Sequence, residues 1–198
     1  MDLPSSQSVL ADNNPRIGRQ ARGTEAEIVR PDSDAYALAA QVIADLADRT
    51  EQIGRTPLSR ARVHRLALLD EVLGNYRRFE WRLGLYAPYS PDLADAIDLL
   101  EESRAIHVFE GTIRVAPQLR VLNAGPSTQP ALTTWLGCVP DLLDCSATIA
   151  YFAHRSAIQR HSRRELLDAV RRYGGRRWSA ISIDRAAELL TSEGMLTR

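Results

Sequence analysis

Hydrophobic positions first become periodic at Leu38, Val42 and Leu46, one residue in four, which draws a stripe along one side of a helix. Ala-rich neighbours strengthen that helix. Gly54 and Pro57 interrupt it, and Thr56 is placed to cap a second helix with Pro57 at its first position. Val63, Leu66, Leu69 and Leu73 form the second stripe, and Gly74 suits its end. The period then drops to two: Phe79, Trp81, Leu83 and Leu85 alternate with Glu80, Arg82 and Gly84, the pattern of a half-buried strand. Ser90 is an N-cap candidate, Pro91 fits the first turn, and Asp92 suits the positive end of the helix dipole. Leu93, Ala96, Ile97 and Leu100 give that third helix its apolar face.

A hairpin should follow. Ile106 and Val108 can face Ile113 and Val115 across Phe109-Glu110-Gly111-Thr112, with Gly111 supplying a positive φ. Residues 121–139, with Gly125, Pro126 and Pro130, form a connecting segment. The rest is helical. Pro140-Asp141 opens a helix with Leu142, Ile149 and Phe152 inward. Ser162 caps a helix from Arg163 to Tyr173 with Leu166, Leu167 and Val170 inward, stopped by Gly174-Gly175. Ser182 caps a last helix bearing Ile183, Ala187 and Leu190, which ends at Gly194.

The fold class expected is mainly α with a small antiparallel β wing, an α+β arrangement. Helix, helix, strand, helix and hairpin over residues 34–120 suit a winged-helix-like core, with the strand near 78–86 as a third strand on the wing. Residues 140–198 would form a C-terminal helical cap on that core, or a second helix-turn-helix-like unit; a cap suits so short a chain better. Residues 1–33 carry scattered polar, Pro and Gly residues without period and are expected to be disordered.

The run Phe79-Glu80-Trp81 to Leu85-Tyr86-Ala87-Pro88-Tyr89-Ser90-Pro91-Asp92-Leu93, with Asp98-Leu99-Leu100 behind it, resembles the YwgA-type proteins, whose signature is Tyr-Gly-Pro-Tyr-Ser. This chain has Ala87 where that family has Gly. The resemblance spans roughly residues 35–196 and implies a winged-helix-like fold. It also implies a setting of the regulatory, toxin–antitoxin or phage-defence kind.

Composition narrows the chemistry. The chain of 198 residues has a formal net charge of zero, so no global field draws it to nucleic acid or membrane. All 25 basic side chains are Arg. Without Lys there is no Walker P-loop, no kinase strand Lys and no pyridoxal-phosphate Schiff base. Two cysteines make no disulfide framework. The first thirty residues lack an apolar signal core, and no run of eighteen apolar residues occurs, so a cytoplasmic location and no membrane association are expected.

Charge is nevertheless segregated. Asp92, Asp95, Asp98, Glu101 and Glu102 share the solvent side of the third helix, where a recognition helix would meet phosphates, so that helix is ill suited to DNA. Between Tyr151 and Ala180, Arg155, Arg160, Arg163, Arg164, Arg171, Arg172, Arg176 and Arg177 face only Glu165 and Asp168, a local net charge of +6. Arg176-Arg177-Trp178 could lie on phosphates with the indole stacking. Cys138, Cys145, His154 and His161 are spaced too widely for an ordinary zinc site, and no cofactor or metal is expected. No nucleophile motif stands beside a base.

The sequence thus points to a non-catalytic regulatory or adaptor protein working through protein–protein contacts, with Tyr86, Tyr89, Asp95, Asp98 and Glu102 as the partner-binding face. Opposite charges on one chain also allow a homodimer. The alternative is a DNA-binding transcriptional regulator using Arg163, Arg164, Arg171, Arg172, Arg176 and Arg177.

Overall fold

The computed structural model describes residues 33–53, 57–122, 128–154 and 162–196. Within them the protein is mainly helical, with eight α-helices and two small antiparallel two-stranded sheets. The expected disorder of residues 1–33 lies outside the described residues, apart from Ser33, which opens α1.

Helix α1 (Ser33–Ile53) buries Val42 and Leu46 as its stripe predicts, together with Ala39 and Ile43. Helix α2 (Arg60–Gly74) behaves differently. Every residue from Arg62 to Glu71 is buried, polar ones included. The helix is not an amphipathic surface element but the central strut, packed against α1 and against the helices at Pro91–Glu102 and Pro140–His154. Its cap is Ser59, whose hydroxyl accepts from the Arg62 amide; Pro57 precedes the helix and Thr56 lies outside the described residues. Asn75, in the left-handed region, ends it one residue beyond Gly74.

The expected strand over 79–85 shrinks to β1 (Arg82–Leu83), which pairs with β2 (Pro88–Tyr89) and not with the wing. The reason is the buried Glu71. Its carboxylate accepts from the backbone amides of Arg78 and Phe79 at 3.0 and 2.9 Å and from the Trp81 indole at 2.9 Å. A side chain thereby satisfies donors that a ladder would otherwise have used.

Helix α3 (Pro91–Glu102) forms as its residues predict: Ser90 accepts from the Leu93 amide, and Leu93, Ala96, Ile97 and Leu100 are buried. Strands β3 (Ile106–Phe109) and β4 (Thr112–Val115) pair in the expected register, Ile106 with Val115 and Val108 with Ile113. Glu110 (φ 49°) and Gly111 (φ 74°) turn the corner in the left-handed region that a two-residue hairpin needs. The third line on this hairpin comes from before α2: the Ile113 amide donates to the Leu58 carbonyl at 2.6 Å.

Helix α4 (Pro117–Leu122) straddles the expected boundary at residue 120, and the connecting segment holds a short 3-10 turn at Pro130–Leu132 and α5 (Thr133–Leu136). Helix α6 (Pro140–His154) buries Leu143, Cys145, Ala147, Ile149 and Ala150, while Leu142 and Phe152 stay half-buried at its edge. Helix α7 (Arg163–Gly174) starts in a full capping box between Ser162 and Glu165. Helix α8 (Ala180–Ser192) starts at Ser179, three residues before the Ser182 cap that the sequence predicts. Ile43, Leu66, Ile97, Trp135, Ile149, Val170 and Leu190 belong to one continuous core. Helix α6 lies between α2 and α8, so the C-terminal helices cover the same core as the N-terminal ones.

Candidate functional site

Leu85 and Tyr86, 83% and 63% accessible, stand side by side at the tip between β1 and β2. The alternation along 79–85 holds for Phe79 and Trp81, which are buried, and fails at Leu85, which the turn carries outward. The turn is tight: the Gly84 amide donates to the Ala87 carbonyl at 3.2 Å. A Cβ on Gly84 would sit 2.9 Å from the Tyr89 ring and 3.0 Å from the Ala87 oxygen, so the ring lies over a bare backbone. Ala87 itself is buried and has no positive φ, so the Ala in place of Gly carries no strain.

Three clamps hold the corner from below. Glu71 grips residues 78–81, as described. His64 accepts the Ser90 amide on Nδ1 at 3.2 Å, with its ring edge-on to Trp81 at 6.4 Å between centroids. That role requires a neutral ring. Burial above all, then the nearby charges of Arg65 and Arg60, push the His64 pKa down to about 4. The third clamp comes from the C-terminal helices. Tyr173 Oη donates to the Gly84 carbonyl, and Arg177 donates to the Tyr86 carbonyl. The Arg177 guanidinium lies 5.1 Å from the centroid of the Tyr86 ring and 5.3 Å from that of Trp178. Its other nitrogen donates to Asp144 at 2.5 Å, and Asp144 also accepts from Arg65 Nε at 2.9 Å.

The sequence-predicted residues are therefore regrouped. Tyr86 belongs with the Arg-rich turn after α7, not with the acidic face of α3. Tyr89, 37% accessible, lies on β2 opposite Arg82 of β1. On α3, Asp95, Asp98 and Glu102 are exposed, but Asp98 and Glu101 are both engaged by Arg60 from the first turn of α2. Of the arginines, Arg163 reaches Thr191 at 3.4 Å, Arg171 pairs with Asp168 and Asp184, and Arg177 is committed to the corner. Arg164, Arg172 and Arg176 are exposed and form no ion pair with a described residue. Trp178 is buried, 5% accessible, so it packs under the turn and is not available for stacking on a base. Arg155, Arg160 and His161 lie outside the described residues.

Leu85, Tyr173, Asp144 and Arg65 have no local signal that would mark them as parts of one site. Asp144 and Arg177 are 33 residues apart, and Tyr173 and Gly84 are 89 apart. Only Gly84, a glycine inside a strand pattern, hints at a close approach.

A concavity of about 430 Å³ opens between α5, α6 and α8, lined by Thr134, Cys138, Leu142, Arg185, Glu188, Leu189 and Ser192. Burial raises the Cys138 thiol pKa, which keeps the sulfur protonated near neutral pH. Cys145 is buried in the core, its pKa pushed up to about 12. His154 Nε2 lies 2.6 Å from the Met195 carbonyl oxygen. Arg62, also buried, donates to the carbonyls of Trp135, Leu136 and Cys138 and so satisfies the end of α5. Among the described residues no helix is long and apolar enough to cross a membrane. Comparison of the chain with protein-family models, with curated proteins and with solved structures found no match.

Proposed function

We propose that the protein is a non-catalytic adaptor or regulatory subunit with a winged-helix-like core, and that it docks a protein partner on the Leu85–Tyr86–Tyr89 corner. One observation carries the reading: two large apolar side chains stand in solvent on a turn whose backbone is clamped by Arg177 and Tyr173. A rigid aromatic anchor loses little conformational entropy on binding, which is what interface hot spots require. The winged-helix reading is supported by the order α1, the Leu58 segment, α2, α3 and the β3–β4 hairpin, with Leu58 in the place of a first strand. The resemblance to YwgA-type proteins and a cytoplasmic setting accord with this role.

The test is affinity capture with the wild-type chain and with Leu85→Ser/Tyr86→Ala as paired baits, read by mass spectrometry. A partner retained by the wild type and lost by the variant is expected. Equal recovery by both baits overturns the corner as the docking site.

The second reading is duplex DNA binding, favoured by the guanidinium groups of Arg164, Arg172 and Arg176, which form no ion pair with a described residue. It requires binding that weakens steeply with salt. Affinity that survives Arg172→Ala/Arg176→Ala excludes this face.

A further inference from the structure

Resting on that docking reading, we infer that the partner segment is acidic and carries an apolar anchor residue. Arginines that form no ion pair with a described residue stand next in the chain to residues that build or touch the tip, or opposite them across the hairpin. Arg82, exposed on β1 three residues before Leu85, forms no ion pair with a described residue. Arg172 precedes Tyr173, whose hydroxyl reaches the Gly84 carbonyl, and Arg176 precedes Arg177, which lies on Tyr86. Both are exposed and without a described acidic partner.

Asp144 is shared by Arg65 and Arg177, and Asp168 and Asp184 are both held by Arg171. The hairpin itself carries no carboxylate, and exposed Glu80 lies two residues before β1. Guanidinium groups without a described acidic partner, carried on the turns that build an apolar knob, match a carboxylate-rich segment, which each guanidinium can take in bidentate fashion. A peptide fits better than a stacked nucleotide. Arg177 already covers one face of the Tyr86 ring, and the outermost side chain is Leu85, which offers no stacking surface.

The experiment titrates the full chain into three fluorescein-labelled peptides that share a Leu-Phe centre and differ in their flanks, which are acidic, neutral or basic. Anisotropy is expected to show the acidic peptide binding at least about tenfold more tightly than the neutral one. Leu85→Ser should abolish that binding without changing the thermal melt. Arg172→Glu/Arg176→Glu should transfer the preference to the basic peptide. Equal binding of acidic and neutral peptides, unaffected by the charge reversal, overturns the acidic partner; if Leu85→Ser still abolishes it, the docking corner stands. The same holds if no peptide binds while the capture experiment still depends on Leu85 and Tyr86. A labelled oligonucleotide that binds more tightly than the acidic peptide, and ignores Leu85→Ser, reassigns the surface to nucleic acid. Self-association of the chain that is lost in Leu85→Ser, measured by sedimentation, reassigns it to a second copy.

Discussion

Arg177 covers the ring of Tyr86 at 5.1 Å, and the same side chain donates to the Tyr86 carbonyl. One residue from the turn between α7 and α8 thus fixes both the backbone and the ring face of a residue at the β1–β2 tip. Arg177→Ala should free that tip. A stability loss of about 1–3 kcal/mol is expected, because Asp144, which is 16% accessible, also loses a partner. Hydrogen exchange should accelerate at residues 84–90 and stay unchanged at 106–115. Uniform exchange over both segments would show that Arg177 does not act locally.

Glu71 is the second anchor. It accepts three N–H donors while nearly fully buried. Glu71→Gln keeps the shape but replaces one acceptor oxygen by a donor that faces donors. Urea denaturation should report a loss of about 2–4 kcal/mol, with a larger effect than a typical surface substitution. A change below about 0.5 kcal/mol would contradict the central place given to this carboxylate.

The neutral imidazole of His64 makes stability depend on pH. With the folded pKa near 4 and the unfolded value near 6.5, the unfolded chain takes up a proton that the folded chain refuses. Stability should therefore fall as pH drops from about 6.5 towards 4, by on the order of 3 kcal/mol in full. Asp70, whose carboxyl is raised by burial, works in the opposite sense at the acid end. His64→Asn retains an acceptor for the Ser90 amide and removes the titration. Its urea midpoint should change less between pH 7 and pH 4.5 than that of the wild type; parallel shifts would refute the assignment to His64.

The wing turn offers a stabilising substitution. Glu110 sits at φ 49°, a region that Asn tolerates better, ahead of Gly111 at φ 74°. Glu110→Asn creates the preferred Asn-Gly pair and should add a few tenths to about 1 kcal/mol. A lower melting temperature would show that Glu110 has a role beyond the turn.

Elements whose order is set by near neighbours were legible from the chain. The α3 cap at Ser90, its four buried residues, the β3–β4 register and the Ser162 cap each depend on residues a few positions apart. Local backbone chemistry decides these features before any packing occurs. The Thr56 and Ser182 caps show the margin of that method, since in α8 a neighbouring Ser179 could do the same work.

The strand at 79–85 and the candidate site were decided elsewhere. Period-two alternation records which side chains turn inward, and Phe79 and Trp81 obey it. It does not record that a buried Glu71 takes over the backbone donors. Likewise α2 shows an apolar stripe, but nothing in the stripe tells that α6 will close over its other side and bury Arg62, His64 and Arg65.

By itself the sequence determined a mainly helical chain with one small hairpin, the ends of several helices, and two segments of opposite charge. Only the tertiary structure decided which of those charges remain free. Arg60 meets Asp98, Arg171 meets Asp184 and Arg177 meets Asp144 across chain separations of 13 to 38 residues. Coulomb attraction and desolvation depend on distance and burial in space, which no spacing along the chain encodes.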